Sequence, residues 1–188
     1  MIKKIQIELI ILIILLTSVL LSYKVDLLIY DYFFNLNYGV DTTYLKNFFI
    51  NVTELGDSVW YFSIVLLIVI VAFVGKFLKI ISSKLFLFLR DLSIFSFVYL
   101  SFVGIATQAL KHIIGRPRPN HTDFEKGFGF NFFSTDASFH SFPSGHSSTI
   151  FAVVLIMSLL IPRLKIFFLF FAFVVAISRV VVGAHFTT

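Results

Sequence analysis

Five long apolar runs govern what this 188-residue chain can become. They cover residues 5–23, 58–75 (between Asp57 and Lys76), 92–110 (between Asp91 and Lys111), 144–161 (before Pro162) and 164–182. A helix needs ~20 mostly apolar residues to cross the hydrocarbon core of a bilayer. Every run approaches that length, and none alternates polar and apolar residues as a barrel strand does. Composition closes the alternatives. With 59% hydrophobic residues, 26 of them Phe, and 13% charged residues, a soluble domain has too few polar groups to cover its surface. Disordered, collagen-like and disulfide-framework chains are excluded as well. The absence of Cys removes disulfides and thiol chemistry. The expected fold is all-α, a polytopic transmembrane bundle of five spans in a single domain over residues 1–188.

Charge orients the bundle. The flank before the first run, the segment after the second and the turn between the last two hold Lys3, Lys4, Lys76, Lys79, Lys84, Arg90, Arg163 and Lys165. The segment between the first two runs has five acids, Asp26, Asp31, Asp41, Glu54 and Asp57, against Lys24 and Lys46. The positive-inside rule puts the basic side in the cytoplasm. The N-terminus is then cytoplasmic, and residues 111–142 and the C-terminus lie outside. The net charge of +5 is a matter of topology and does not call for nucleic acid. Residues 5–23 lack a small-residue cleavage site and are expected to stay as an anchor. Within residues 25–49 a short interfacial helix is expected, with Leu27, Leu28, Tyr32 and Phe33 toward lipid.

Three polar clusters fall on the outer side, where loop solvation does not explain them. Lys111-His112-Ile113-Ile114-Gly115-Arg116-Pro117-Arg118-Pro119 ends the third run. Phe142-Pro143-Ser144-Gly145-His146-Ser147-Ser148-Thr149 opens the fourth, and Ser178-Arg179 with His185 ends the fifth. Singly, each has an ordinary reading: basic residues at a span's end snorkel to headgroups, Ser144 caps a helix, and His185 is structural. Together, Lys111, Arg118 and Arg179 supply cations, and arginine forks match phosphate oxygens. Ser144, Gly145 and His146 lie at a helix start, whose free N–H groups favour an anion. His146 and His185 add two imidazoles. The sum is a site for a tetrahedral oxyanion with one nucleophile and one proton donor.

These residues resemble the type 2 phosphatidic acid phosphatases, membrane lipid phosphatases whose motifs are Lys-x6-Arg-Pro, Pro-Ser-Gly-His and Ser-Arg-x5-His-x3-Asp. Lys111 through Arg118-Pro119, Pro143 through His146, and Ser178-Arg179 with His185 match. The last motif's Asp falls one position past Thr188, and the family's sixth span would follow it. A chain cut short is therefore expected to be weak or inactive. Glu54-Leu55-Gly56-Asp57-Ser58 also looks like a family segment. The resemblance implies that His185 is a nucleophile forming a phosphohistidine and that His146 is the general acid. It implies that Lys111, Arg118, Ser144, Gly145 and Arg179 bind phosphate, without metal or other cofactor. The implied substrate is a phospholipid, a polyprenyl diphosphate or a lipid A-type molecule, cleaved at the outer face of a bacterial inner membrane. Oligomeric state stays open. A non-catalytic lipid-phosphate binder or transporter would use the same pocket, and phosphate trapped on His185 discriminates the two. Arg116 and His112 stand outside the core set, and His121 and His140 are expected to be solvated loop residues. Asn51-Val52-Thr53 fits a glycosylation pattern that is common by chance.

Overall fold

The computed structural model describes Asp26, Leu28, Ile29, Tyr32, Phe33 and residues 43–119 and 130–186. The expected first span and His121 lie outside these residues. Five α-helices make up most of what is described: α1 (Thr43–Glu54), α2 (Ser58–Phe77), α3 (Ser83–Ile114), α4 (Gly145–Leu160) and α5 (Lys165–Val181). No strand occurs among the described residues. Tyr44–Phe77, Ser83–Ile114 and Pro162–Val181 are each long and apolar enough to cross a membrane, while Gly145–Leu160 is apolar but shorter. The molecule is an integral membrane protein built as a helix bundle.

The helices start and stop where local chemistry dictates. The Asp57 carboxylate accepts from Val59 N at 2.9 Å and caps α2, and Ser82 Oγ accepts from Leu85 N at 3.2 Å and caps α3. No Gly or Pro interrupts residues 83–91, so α3 begins nine residues before the expected span. The connection α2–α3 thereby shrinks to 78–82, and Lys84 and Arg90 ride on helix. Gly115 ends α3 with φ 58°, and its N–H returns to the Lys111 carbonyl at 2.9 Å. A Cβ there would also stand 1.6 Å from the Asn131 carbonyl oxygen, so glycine is required twice over.

α4 is the centre. It packs against α3 and α5, α2 covers α3, and α1 lies on α5. The buried residues Ile150, Ala152, Val154 and Ile156 point to several sides of α4, as befits a helix enclosed by others. Ile150 and Val154 meet Ala172 and Val175 of α5, while Ala152 and Ile156 meet Leu100 of α3. Small residues let the backbones close: Ala72, Ala172 and Ser178 are fully buried. The outer surface is apolar, with Phe95, Phe97, Phe102, Ile105, Ile166 and Phe170 exposed, the reverse of a water-soluble fold.

The N-terminal segment departs from expectation in one respect. Leu28 and Tyr32 are exposed as expected of lipid-facing residues, but Phe33 is half-buried in an apolar groove with Ile177 and Val180 of α5. Asp26, one of the five acids of this segment that set the orientation, is buried at 1% exposure.

Candidate active site

The end of α3, the start of α4 and the end of α5 meet at one end of the bundle, and three local features aim their polar groups. At α3, Lys111 occupies the last turn and is 8% exposed. Beyond Gly115 the chain leaves the helix and is laced to the segment leading into α4. Arg118 N donates to Ser138 O at 2.8 Å, Ser141 N to Arg116 O at 3.0 Å, and Arg118 Nε to Ala137 O at 3.1 Å. At α4, Ser144 accepts from Ser147 N at 3.4 Å, a long capping bond, and Gly145 and His146 form the first turn. A Cβ on Gly145 would sit 3.6 Å from Lys111 Nζ, which places that ammonium over the helix start. At α5, Gly183 adopts φ 74° and the N–H groups of Ala184 and His185 both return to the Arg179 carbonyl, at 3.0 and 3.2 Å. This tight return explains why a histidine six residues after an arginine shares its site.

His185 is 4% exposed, and its Nδ1 faces the Ser141 carbonyl. A carbonyl only accepts, so Nδ1 carries the hydrogen and Nε2 keeps its lone pair. Burial pushes the imidazole pKa down to about 3, helped by the nearby charges of Arg179, Arg118 and Lys111 and opposed by the Ser141 bond. His185 is therefore neutral near pH 7. The same three cations repel one another, so they form one electropositive cluster. Arg179 donates from Nη1 to Thr53 Oγ1 of α1 at 2.8 Å, while its buried Nε has no hydrogen-bond partner among the described residues.

His146 approaches from another side. It lines a cleft of about 830 Å³ with Lys111, Gly145 and Asp57 at the polar end and Phe62 and Leu100 at the apolar end. His185, Arg179 and Ser144 line a neighbouring cavity of about 310 Å³. The two imidazoles thus open into adjacent spaces, the larger lined by Lys111 and the smaller by Arg179. The α1–α2 turn braces His146: Gly56 is buried against it, and a Cβ there would lie 2.6 Å from His146 Cβ. Asp57 and Glu54 from the same turn lie within electrostatic reach of His146.

All seven residues singled out from sequence, Lys111, Arg118, Ser144, Gly145, His146, Arg179 and His185, come to this end of the bundle. Thr53, Gly56 and Ser141 belong there as well. Gly56 was foreshadowed by the Glu54-Leu55-Gly56-Asp57-Ser58 segment. Thr53 had only the glycosylation pattern to mark it, and it is buried at 6% exposure. His140 corrects the expectation of a solvated loop residue. It is 9% exposed, with Nε2 bonded to the Ser134 carbonyl at 2.9 Å and its ring 4.3 Å from that of His112.

Comparison with known proteins agrees with this architecture. Residues 92–188 match the model of the PAP2 superfamily. A lipid A 1-phosphatase of Rhizobium etli is 38% identical over 136 residues, 71% of this chain and 59% of that protein. A lipid A 1-phosphatase of Rhizobium johnstonii is 37% identical over 71% of this chain and 56% of its own. The chain thus spans less than three-fifths of the length of these curated relatives. The crystal structure of a transmembrane PAP2 type phosphatidylglycerolphosphate phosphatase from Bacillus subtilis superposes with a TM-score of 0.59 at 21% identity, covering 87% of this chain and 74% of that one. That likeness establishes the fold. The family match, covering just over half the chain and all three motif-bearing helix ends, makes this protein a member of the PAP2 superfamily.

Proposed function

We propose that the chain hydrolyses a phosphate monoester or diphosphate on a membrane lipid, through a phosphohistidine on His185. The observation that carries this reading is a neutral, buried imidazole whose Nδ1 is held by the Ser141 carbonyl amid Lys111, Arg118 and Arg179. The His185 Nε2 lone pair attacks phosphorus, and the bond to the lipid oxygen breaks. The leaving oxygen takes its electron pair and a proton from His146. A water then attacks phosphorus, the P–N bond breaks, and His146 takes the water's proton. Lys111, Arg118 and Arg179 hold the phosphoryl oxygens, with hydrogen bonds from Ser144 and the Gly145 backbone, and offset the charge that metal ions offset elsewhere. The apolar stretch of the larger cleft, from Phe62 to Leu100, suits the lipid part of the leaving group.

Among the substrate classes that the motifs imply, the named activity of the Rhizobium relatives favours a lipid A-type phosphate over phosphatidic acid, phosphatidylglycerol phosphate or undecaprenyl diphosphate. The basic groups Lys76, Lys79 and Lys84 gather at the far end of α2 and α3 from the site, which supports an extracytoplasmic active site in a bacterial inner membrane. The test is phosphate release from each lipid by the wild type, His185→Ala and His146→Ala, with vanadate and with a chelator. Turnover abolished by either substitution, inhibited by vanadate and indifferent to chelator is expected. Lipid binding without labelling of His185 by radioactive phosphate would instead identify a binder or transporter.

A further inference from the structure

Arg116 stands two residues before Arg118 and is 5% exposed. Its Nη2 donates to the carboxylate of Asp26, 90 residues away in the chain and itself 1% exposed. Desolvation commonly cancels the attraction in such a pair, so it is poorly explained as a source of stability. It is well explained by what Arg116 touches. Its guanidinium carbon lies 4.8 Å from the centroid of the Phe186 ring. Phe186 follows His185 in the chain and is 4% exposed. The Arg116 carbonyl accepts from Ser141 N at 3.0 Å, and the Ser141 carbonyl in turn takes the Nδ1 hydrogen of His185. Both the residue next to His185 and the carbonyl that orients its ring are therefore held through Arg116.

We infer that Arg116, locked by Asp26, is a positioning residue that sets the direction of the His185 ring. The assignment rests on the nucleophilic role proposed for His185. It adds two residues outside the phosphate cradle, one of them in the N-terminal segment. A misdirected ring still leaves the cation cluster intact, so binding and chemistry separate. The test uses the full chain in detergent with Arg116→Lys, which keeps the charge but loses the planar fork, and Phe186→Leu, which keeps the ion pair but loses the ring. Asp26→Asn is the direct disruption, and the other two variants stand in for it should it fail to fold. In each, kcat is expected to fall tenfold or more while KM stays within twofold. A second readout needs no turnover: carbethoxylation of His185 by diethyl pyrocarbonate, followed by peptide mass. Wild-type His185 reacts slowly because it is buried, and the variants are expected to react at least fivefold faster. Wild-type kcat and wild-type labelling in both Arg116→Lys and Phe186→Leu overturn the inference. So does a raised KM at constant kcat, the behaviour of a phosphate ligand. A slowly labelled wild type that releases no phosphate defeats the hydrolase reading alone, and the labelling contrast then decides this one.

Discussion

A single methyl group at Gly56 tests how tightly the α1–α2 turn seats His146, the proposed general acid. In Gly56→Ala the new Cβ would lie 2.6 Å from His146 Cβ and 3.1 Å from both its Cα and its carbonyl oxygen. Carbon atoms rest at about 3.5–4.0 Å, so the two backbones must separate by ~1 Å. Neither side yields easily. The turn is closed by Gly56 N to Thr53 O at 2.9 Å and Asp57 N to Glu54 O at 3.0 Å, and α4 is the buried core helix. Overpacking of this kind costs about 1–3 kcal/mol of stability. The larger effect falls on catalysis, where a 1 Å misplacement of a reacting group costs ~100-fold. The assay is kcat on a lipid phosphate in mixed micelles, with thermal unfolding in parallel. Gly145→Ala is the companion, because its Cβ meets Lys111 Nζ at an ordinary 3.6 Å and forces no backbone shift. Gly56→Ala should lose one to two orders of magnitude in kcat and melt early, while Gly145→Ala should melt like the wild type. A Gly56→Ala protein with native kcat refutes the close seating of His146.

Other expectations follow from single contacts. Thr53→Val removes the acceptor of a charged hydrogen bond to Arg179, typically ~1.5–3 kcal/mol, and should lower kcat/KM by about 10- to 100-fold with the fold preserved. Ser144→Ala should cost ~0.5–1 kcal/mol in unfolding free energy, at the low end for a cap because the bond is long at 3.4 Å. His185 has a folded pKa of about 3 against an ordinary 6.5, so the unfolded chain binds the extra proton between those values. Its contribution to stability is complete above pH 6.5 and fades as pH falls toward 3, by up to ~1.4 kcal/mol per pH unit. His185→Gln should flatten that dependence in melts between pH 7 and 4, and an unchanged slope would count against a buried neutral imidazole.

Much of the fold and site can be read directly from residue spacing, and the reason is local. Apolar runs of bilayer length force helices, and cations or glycines at their ends mark the boundaries. Ser144, Gly145 and His146 share one turn, and Arg179 and His185 are linked by a tight return at Gly183. What escaped was contributed at long range. Thr53 reaches Arg179 across 126 residues and Asp26 reaches Arg116 across 90, and nothing near either residue announces its partner. His140 looked solvated because a loop histidine usually is, and only the fold supplies the Ser134 carbonyl that buries it. The early start of α3 was missed because Lys84, Arg90 and Asp91 read as loop, whereas long charged side chains on a helix simply reach for the headgroups.

The unequal lengths of α3 and α4 carry a mechanical implication. From Asp91 to Lys111, α3 rises about 30 Å, the thickness of a typical hydrocarbon core, whereas the 16 residues of α4 rise only about 24 Å. A thicker or thinner bilayer therefore asks the two rods to tilt by different amounts. Their relative slide is felt where the Lys111 ammonium hangs over Gly145, so acyl-chain length in the host membrane becomes a tuning knob on the proposed phosphate site.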